Sequence, residues 1–226
     1  MTDYHCHILP RMVDGAKDLN MSLDMIRLMM AQGVDRIVAT PHFYAHREES
    51  VRAFLQRRQE AYRQIEDTDC TMPYLHLGAE VAVEQGISRL PGVHQLTLAD
   101  TSYILVELPY APFAHWMLEE IDSLSQRYGL TPVLAHIHRY ARFYTREQMA
   151  EVLRTEAVLQ FNTEAFRSFQ ERRFAMSLIK RGFPYILGSD AHNMTSRRPD
   201  WDSLKRKVRP DILNHQENLF QSVKSP

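Results

Sequence analysis

Cysteine is nearly absent from this sequence: Cys6 and Cys70 are the only two among 226 residues, too few for a disulfide framework. No window approaches the ~18 consecutive apolar residues of a membrane span, and the histidine-bearing start lacks the apolar core of a signal peptide. The expectation is a soluble, cytoplasmic chain with no membrane insertion. Net charge is almost missing too. With 27 basic against 28 acidic residues the formal charge is -1, so no global field draws the protein to nucleic acid or anionic lipid, and any anion binding is local. There is no G-x-G-x-x-G or Walker loop to cradle a nucleotide phosphate. Repeats and low-complexity tracts are lacking as well, and the length suits one domain spanning residues 1–226.

What is present is an alternation of short β-rich runs and amphipathic stretches. The runs 4–8, 36–40, 74–81, 103–107, 131–136, 157–161 and 185–188 read as strands, and 22–32, 48–66, 115–128, 146–154 and 169–181 as helices, with Gly33, Gly129 and Gly182 as stop signals. Such alternation predicts an α/β protein with a mainly parallel sheet, open or closed. Seven strands without a dinucleotide loop favour a barrel, whose site would gather at the C-terminal strand ends.

The opening stretch DYHCHILPRMVDG poses a choice between a cysteine nucleophile with Arg11 and a metal site beginning at His5 and His7. On a strand, His5 and His7 share one face and Cys6 turns away. Asp14 follows at a glycine-bounded turn. At or just beyond the ends of the second, third, fourth, fifth and seventh runs come residues of the same kind: His42, Glu80, Glu107, His136, and then Asp190 with His192. Alone, His42 or His136 has a plainer role as a hydrogen-bonded histidine, and Glu80 or Glu107 as a loop carboxylate or cap. Their recurrence at successive strand ends is what such independent roles do not produce. Five imidazoles and four carboxylates suit manganese, iron or zinc rather than a thiolate cage. Nine donors exceed the needs of one ion, so two or three ions with bridging carboxylates are expected. The thiol alternative fails on spacing: a C-x5-R phosphate loop needs five residues between cysteine and arginine, Cys6 and Arg11 have four, and Pro10 removes a backbone donor.

Taken together, His5-Cys6-His7, Asp14-Gly15-Ala16-Lys17-Asp18, Ala39-Thr40-Pro41-His42, Gly78-Ala79-Glu80, Glu107-Leu108-Pro109, Ala135-His136, Arg139-Tyr140 and Gly188-Ser189-Asp190-Ala191-His192-Asn193 resemble the polymerase and histidinol phosphatase (PHP) superfamily. Within it they are most similar to the CpsB-type bacterial tyrosine-protein phosphatases of capsular and exopolysaccharide synthesis. The resemblance implies a distorted (β/α)7, TIM-like barrel (the PHP fold) and a trinuclear, usually manganese-dependent site. Carried over, it makes His5, His7, Asp14, His42, Glu80, Glu107, His136, Asp190 and His192 metal ligands. It makes Arg139 and Arg197 contacts to phosphate, the choice between Arg197 and Arg198 being open. The implied activity is hydrolysis of a phosphotyrosine protein, such as the tail of a bacterial tyrosine kinase, by hydroxide formed from water on the ions, whose pKa falls to about 7.

The family pattern has glycine where Arg11 stands, aspartate where Val13 stands, and Pro-Glu where this chain has Ile137-His138. These departures touch the pocket mouth, and His138 reads as a solvent-exposed loop histidine, an extra ligand or an acid. A small-molecule phosphoesterase resembling histidinol-phosphate phosphatases is the nearest alternative, expected to have a deep pocket lined by Phe43, Tyr110 and Phe143. An amidohydrolase fits less well, because a strand-end lysine or histidine is usual there where Glu107 falls. A non-catalytic metal-binding module is a further option. Arg52, Arg57, Arg58 and Arg63 on the 48–66 helix read either as a solvated face or as a dock for an acidic partner.

Overall fold

The computed structural model describes residues 1–214, 216 and 218–222, the last two by backbone alone. Its strands are β1 (Thr2–Cys6), β2 (Arg36–Ala39), β3 (His42–Phe43), β4 (Tyr74–Leu77), β5 (Glu80–Ala82), β6 (Tyr103–Glu107), β7 (Thr131–Leu134), β8 (Val158–Asn162) and β9 (Tyr185–Gly188). They pair in the orders β1-β2-β4 and β3-β5-β6-β7-β8-β9, every pairing parallel.

One of the seven expected runs is broken in two, and another is followed by a short strand outside its expected range. The second run, 36–40, ends as β2 at Ala39, and the short β3 follows it beyond Thr40-Pro41, where proline has no N–H to give to a ladder. The third run, 74–81, divides at Gly78-Ala79, so that Glu80 opens β5 instead of ending the earlier strand. The backbone continues to pair across both breaks: Thr40 N donates to Cys6 O at 2.8 Å, Gly78 N to Ala39 O at 2.8 Å and Glu80 N to Pro41 O at 3.1 Å. The two sheets thus form one curved wall. It closes where β9 runs beside β1, with Asp190 N donating to His5 O (2.7 Å) and His7 N to Ala191 O (2.8 Å). Gly188 permits that approach, because a Cβ there would lie 2.5 Å from His5 Cβ. A parallel barrel with seven wall positions results, as expected for the PHP fold.

Helices α1 (Leu19–Ala31), α2 (Val51–Glu66), α3 (His115–Tyr128), α4 (Arg146–Val152) and α5 (Phe169–Lys180) pack outside the wall. Asp18, Ser50, Thr145 and Ser168 cap four of them, each accepting a first-turn backbone N–H. Between β5 and β6 the chain takes only 3₁₀ turns, at Ile87–Arg89, Val93–Gln95 and Leu98–Asp100, in place of a helix. After β9 come two short helices, α6 (Trp201–Lys205) and α7 (Pro210–Asn214). Among the described residues no helix is long and apolar enough to cross a membrane.

Inside the barrel an apolar plug is built from Tyr4, Val38, Leu105, Val133, Val158 and Ile186. Because strand side chains alternate, the faces carrying Leu105 and Val158 carry Glu107 and Gln160 two residues further on. The plug is the floor on which a polar rim stands.

Candidate metal centre

The nine candidate ligands converge at that rim. Glu80 lies at the middle, with Oε2 3.1 Å from His5 Nε2, 3.2 Å from His7 Nε2 and 3.1 Å from His42 Nδ1, and with Oε1 3.0 Å from His136 Nε2. Asp190 Oδ1 approaches His7 Nε2 at 3.4 Å, His192 Nδ1 at 3.5 Å and His5 Nε2 at 3.6 Å. Glu107 meets His136 at 3.2 Å and His42 at 3.8 Å, and Asp14 meets His192 at 3.4 Å and His42 at 3.6 Å. Three donor sets follow, each with atoms within 4.8 Å of one another: His7, Asp14, His42 and His192; His5, His7, Glu80 and Asp190; His42, Glu80 and Glu107. His136 joins the last through both of its carboxylates.

This donor chemistry fits divalent cations. The Nε2 atoms of His5 and His7 face each other at 3.2 Å. Buried His42 Nδ1, Glu80 Oε2 and His192 Nε2 come close to oppositely charged neighbours yet make no well-directed hydrogen bond. Lone pairs so placed aim at shared points between the side chains, which is what ligand atoms do. Burial disfavours a charged His5, but Glu80 and Asp190 outweigh it and push its imidazole up to about 9. Against the same desolvation, the surrounding imidazoles and Arg139 hold Glu80 and Asp190 well below the usual carboxylate range. Positive charge is what this pocket calls for.

Local structure sets each ligand. Gly15 has no room for a Cβ, which would lie 2.5 Å from His7 O, so the Asp14 loop folds tightly over β1, with Ala16 N bonded to His7 O. In that loop Arg11 and Val13 adopt φ of 59° and 47°, a costly region for a β-branched valine. Cys6 faces away from the rim as expected, buried with its thiol on Val38 O, and burial raises its pKa well above that of a free thiol. It is not placed as a nucleophile.

The two arginines of the motif meet at Asp190. Arg139 Nη2 and Arg197 Nη2 each lie 2.7 Å from Asp190 Oδ2, and Asn162 Nδ2 donates to the same oxygen at 2.8 Å. Arg139 also binds Glu164 through Nε and Nη2, and its Nη1 donates to Tyr110 OH at 3.3 Å. Arg197 is carried to the rim by the loop after β9, where Asn193 Oδ1 accepts the backbone N–H groups of Thr195 (2.9 Å) and Arg197 (3.0 Å). Arg198 is exposed and lines no part of the rim.

Several expectations are corrected. His138 is not a solvent-exposed loop histidine. It is buried beneath the 3₁₀ turn Ile137–Arg142, its Nε2 3.8 Å from Glu164 Oε1, and burial lowers its pKa to about 4. Phe43 does not line the pocket but packs edge-on against Phe54 in the core, at 5.1 Å between ring centroids. Tyr110 and Phe143 are 54% and 62% exposed; Tyr110 edges the mouth of an open cavity of about 370 Å³, and Phe143 meets Tyr110 edge-on from a neighbouring concavity, so the two do not wall a deep pocket. On α2, Arg57 is paired with Glu48 at 2.6 Å and Arg58 donates to Gly78 O at 2.7 Å, so these two do not form a free docking face.

Residues outside the sequence expectations hold the ligands in place. Gln160 Oε1 accepts His136 N at 2.6 Å and faces His5 Nδ1 at 3.1 Å, which puts the His5 proton on Nδ1 and turns Nε2 to the cluster. Asp3 accepts His5 N (3.2 Å), Ser189 N (2.9 Å) and Trp201 Nε1 (3.0 Å), pinning β1 to the chain beyond β9. Glu164 anchors Arg139. The signal for Gln160 and Asn162 was present, as polar residues at alternate positions of the apolar run VLQFN.

The family profile described as "Capsular polysaccharide synthesis, CpsB/CapC" matches residues 1–218. The tyrosine-protein phosphatase YwqE of Bacillus subtilis is 28% identical over 205 residues, covering 87% of this chain and 79% of that protein. The tyrosine-protein phosphatase CpsB of Streptococcus pneumoniae is 28% identical over 216 residues, covering 88% and 86%. Among solved structures, one described with YwqE and CpsB as unique metal-dependent tyrosine phosphatases superposes with a TM-score of 0.76 at 26% identity, over 90% of this chain and 84% of that one. The phosphotriesterase homology protein of Escherichia coli shares the fold alone, with a TM-score of 0.52 at 12% identity.

Proposed function

The chain belongs to the CpsB/CapC family, and from that premise and the rim geometry we propose that it is a metal-dependent protein-tyrosine phosphatase of capsular or exopolysaccharide synthesis, acting in the cytoplasm. Its substrate is a phosphotyrosine in a protein, such as the tail of a bacterial tyrosine kinase. The observation that carries this reading is the meeting of nine imidazole and carboxylate donors with two arginines at one open rim.

Two or three divalent ions, manganese in the cell, would be held by the three donor sets, with His136 completing the set of Glu80 and Glu107. Bound there, they would supply an activated water at neutral pH and positive charge for the phosphoryl oxygens. Arg139 and Arg197 bind and orient the phosphoryl group, since both guanidinium forks already converge on one anionic oxygen of Asp190. Glu164 keeps Arg139 extended over the rim. Tyr110, exposed at the mouth, and Phe143, exposed beside it, offer aromatic surface to the tyrosyl group. The departing phenol has a pKa of about 10, low enough that the site needs no dedicated acid. An open mouth edged by aromatics admits a protein tail more readily than it encloses a small metabolite.

The test is hydrolysis of a phosphotyrosine peptide before and after exhaustive chelation, then with manganese restored, beside histidinol phosphate as competitor substrate. Peptide turnover lost on chelation and regained with manganese is the expected result. Turnover that survives complete removal of metal, or a preference for histidinol phosphate, sinks the proposal.

A further inference from the structure

A second concavity lies on the outer face of the barrel, between α4 and α5, and the site above makes no use of it. At about 530 Å³ it is larger than the cavity at the rim. Met149, Leu178 and Phe183 contribute apolar surface, while Arg146, Arg154 and Arg181 stand around it. No carboxylate lines it, and among the described residues none of these three arginines has a carboxylate within ion-pair distance. Arg181 lies over the Phe183 ring at 5.0 Å, a stacking that leaves its N–H edges free to bind. All three arginines are exposed. In a chain whose formal charge is only -1, three arginines around one apolar floor with no carboxylate among its lining are a local concentration of positive charge.

The chemistry that complements such a groove is an anionic segment with an apolar anchor. Carboxylates would take the guanidinium forks, and one aliphatic or aromatic side chain would cover the floor. The groove also adjoins the rim. The segment 141–145 separates them, with Ala141, Tyr144 and Thr145 lining the groove, while Arg142 and Phe143 line a cavity shared with Tyr110 and Arg139. We propose that this groove docks an acidic peptide segment of a protein partner, held by Arg146, Arg154 and Arg181. The inference goes beyond the proposed hydrolysis and does not depend on it.

The full chain, loaded with manganese, is titrated into a fluorescent peptide that carries no phosphate, made of aspartate and glutamate around a single leucine. A counterpart with asparagine and glutamine in their place is the control. The acidic peptide should bind at least about tenfold more tightly than the neutral one, and the combined Arg146→Glu, Arg154→Glu and Arg181→Glu variant should lose that advantage. Hydrolysis of a small aryl phosphate should be unchanged in the variant, which separates docking from chemistry. If the reversed protein does not fold, the three Arg→Gln changes provide the same reading with partial weakening. Equal binding of the two peptides, no binding of either, or acidic-peptide binding that survives the charge changes overturns the proposal. Dimerisation that the same changes abolish assigns the groove to a second copy of the chain and overturns it equally.

Discussion

At the residue scale, neighbouring arginines in the Arg197-Arg198 pair have different surroundings. Arg197 reaches Asp190 Oδ2 at 2.7 Å because the Asn193 side chain folds its loop back, whereas Arg198 points to solvent. Arg139 is the more deeply committed of the two arginines at the rim, shared between Glu164 and Asp190. If both orient the phosphoryl group, losing Arg139 removes charge stabilisation where negative charge spreads over the phosphoryl oxygens. Arg139→Ala should lower kcat on a phosphotyrosine peptide by on the order of 10²-fold to 10³-fold. Arg139→Lys should recover only part of this, since a point charge cannot replace a fork, and Arg198→Ala should stay within roughly twofold of the parent. Steady-state kinetics on variants with unchanged melting temperatures check this. A full-rate Arg139→Ala, or a crippled Arg198→Ala, would reverse the assignment.

At the element scale the barrel departs from regularity where a 3₁₀ crossing replaces the helix between β5 and β6. Such a crossing buries Ile87, Val93, Leu96 and Leu98 but has no regular helix ladder for its backbone, and a carboxylate on α3 takes two of its N–H groups: Glu120 accepts Gly86 N at 2.7 Å and Ser88 N at 2.9 Å. Glu120→Ala strands two backbone donors and should cost about 1–3 kcal/mol, read as a fall in the urea midpoint at constant slope, while Glu120→Gln should retain part of it. No change in midpoint would show that the crossing is held by its apolar contacts alone. Elements explain which parts of the molecule could be read in advance. Helices α1 to α5 repeat every 3.6 residues and end on caps or glycines, so they were visible. The candidate ligands stood at the ends of apolar runs and were visible for that reason. The breaks at Pro41 and Gly78 were hidden because a parallel barrel wall pairs across them without changing its apolar composition. His138 is buried against a loop expectation because a 3₁₀ turn rotates its successive side chains faster than an extended loop does, turning His138 inward. Gln160 and Glu164 are not legible in the sequence because an amide in a strand, or a lone glutamate after one, shows its use only once a distant partner such as His5 or Arg139 is beside it.

At the scale of the whole molecule, four of the nine candidate ligands come from opposite ends of the chain: His5 and His7 from β1 and the residue just beyond it, Asp190 and His192 from just past β9. Their carboxylates and imidazoles meet across the seam that closes the barrel, which the backbone itself holds with two bonds, Asp190 N to His5 O and His7 N to Ala191 O. On the proposed reading, cations shared across that seam would act as cross-links, and the folded chain alone presents the donors together. Such binding would add to the stability of the entire barrel in proportion to the logarithm of ion concentration, about 2.7 kcal/mol at a hundredfold excess over Kd. For a domain of this size each kcal/mol moves Tm by roughly 2–4 °C, so manganese in that excess should raise Tm by roughly 5–10 °C over the chelated protein. The rise should shrink in His5→Ala, which removes a donor at the seam. Hydrogen exchange locates the effect: amides of β1 and of residues 188–192 should gain protection on adding manganese, while those of α3 gain less. A Tm indifferent to chelator and manganese alike, with exchange at the seam unaltered, would mean that the nine side chains do not hold ions in solution, and the proposed chemistry would fail with them.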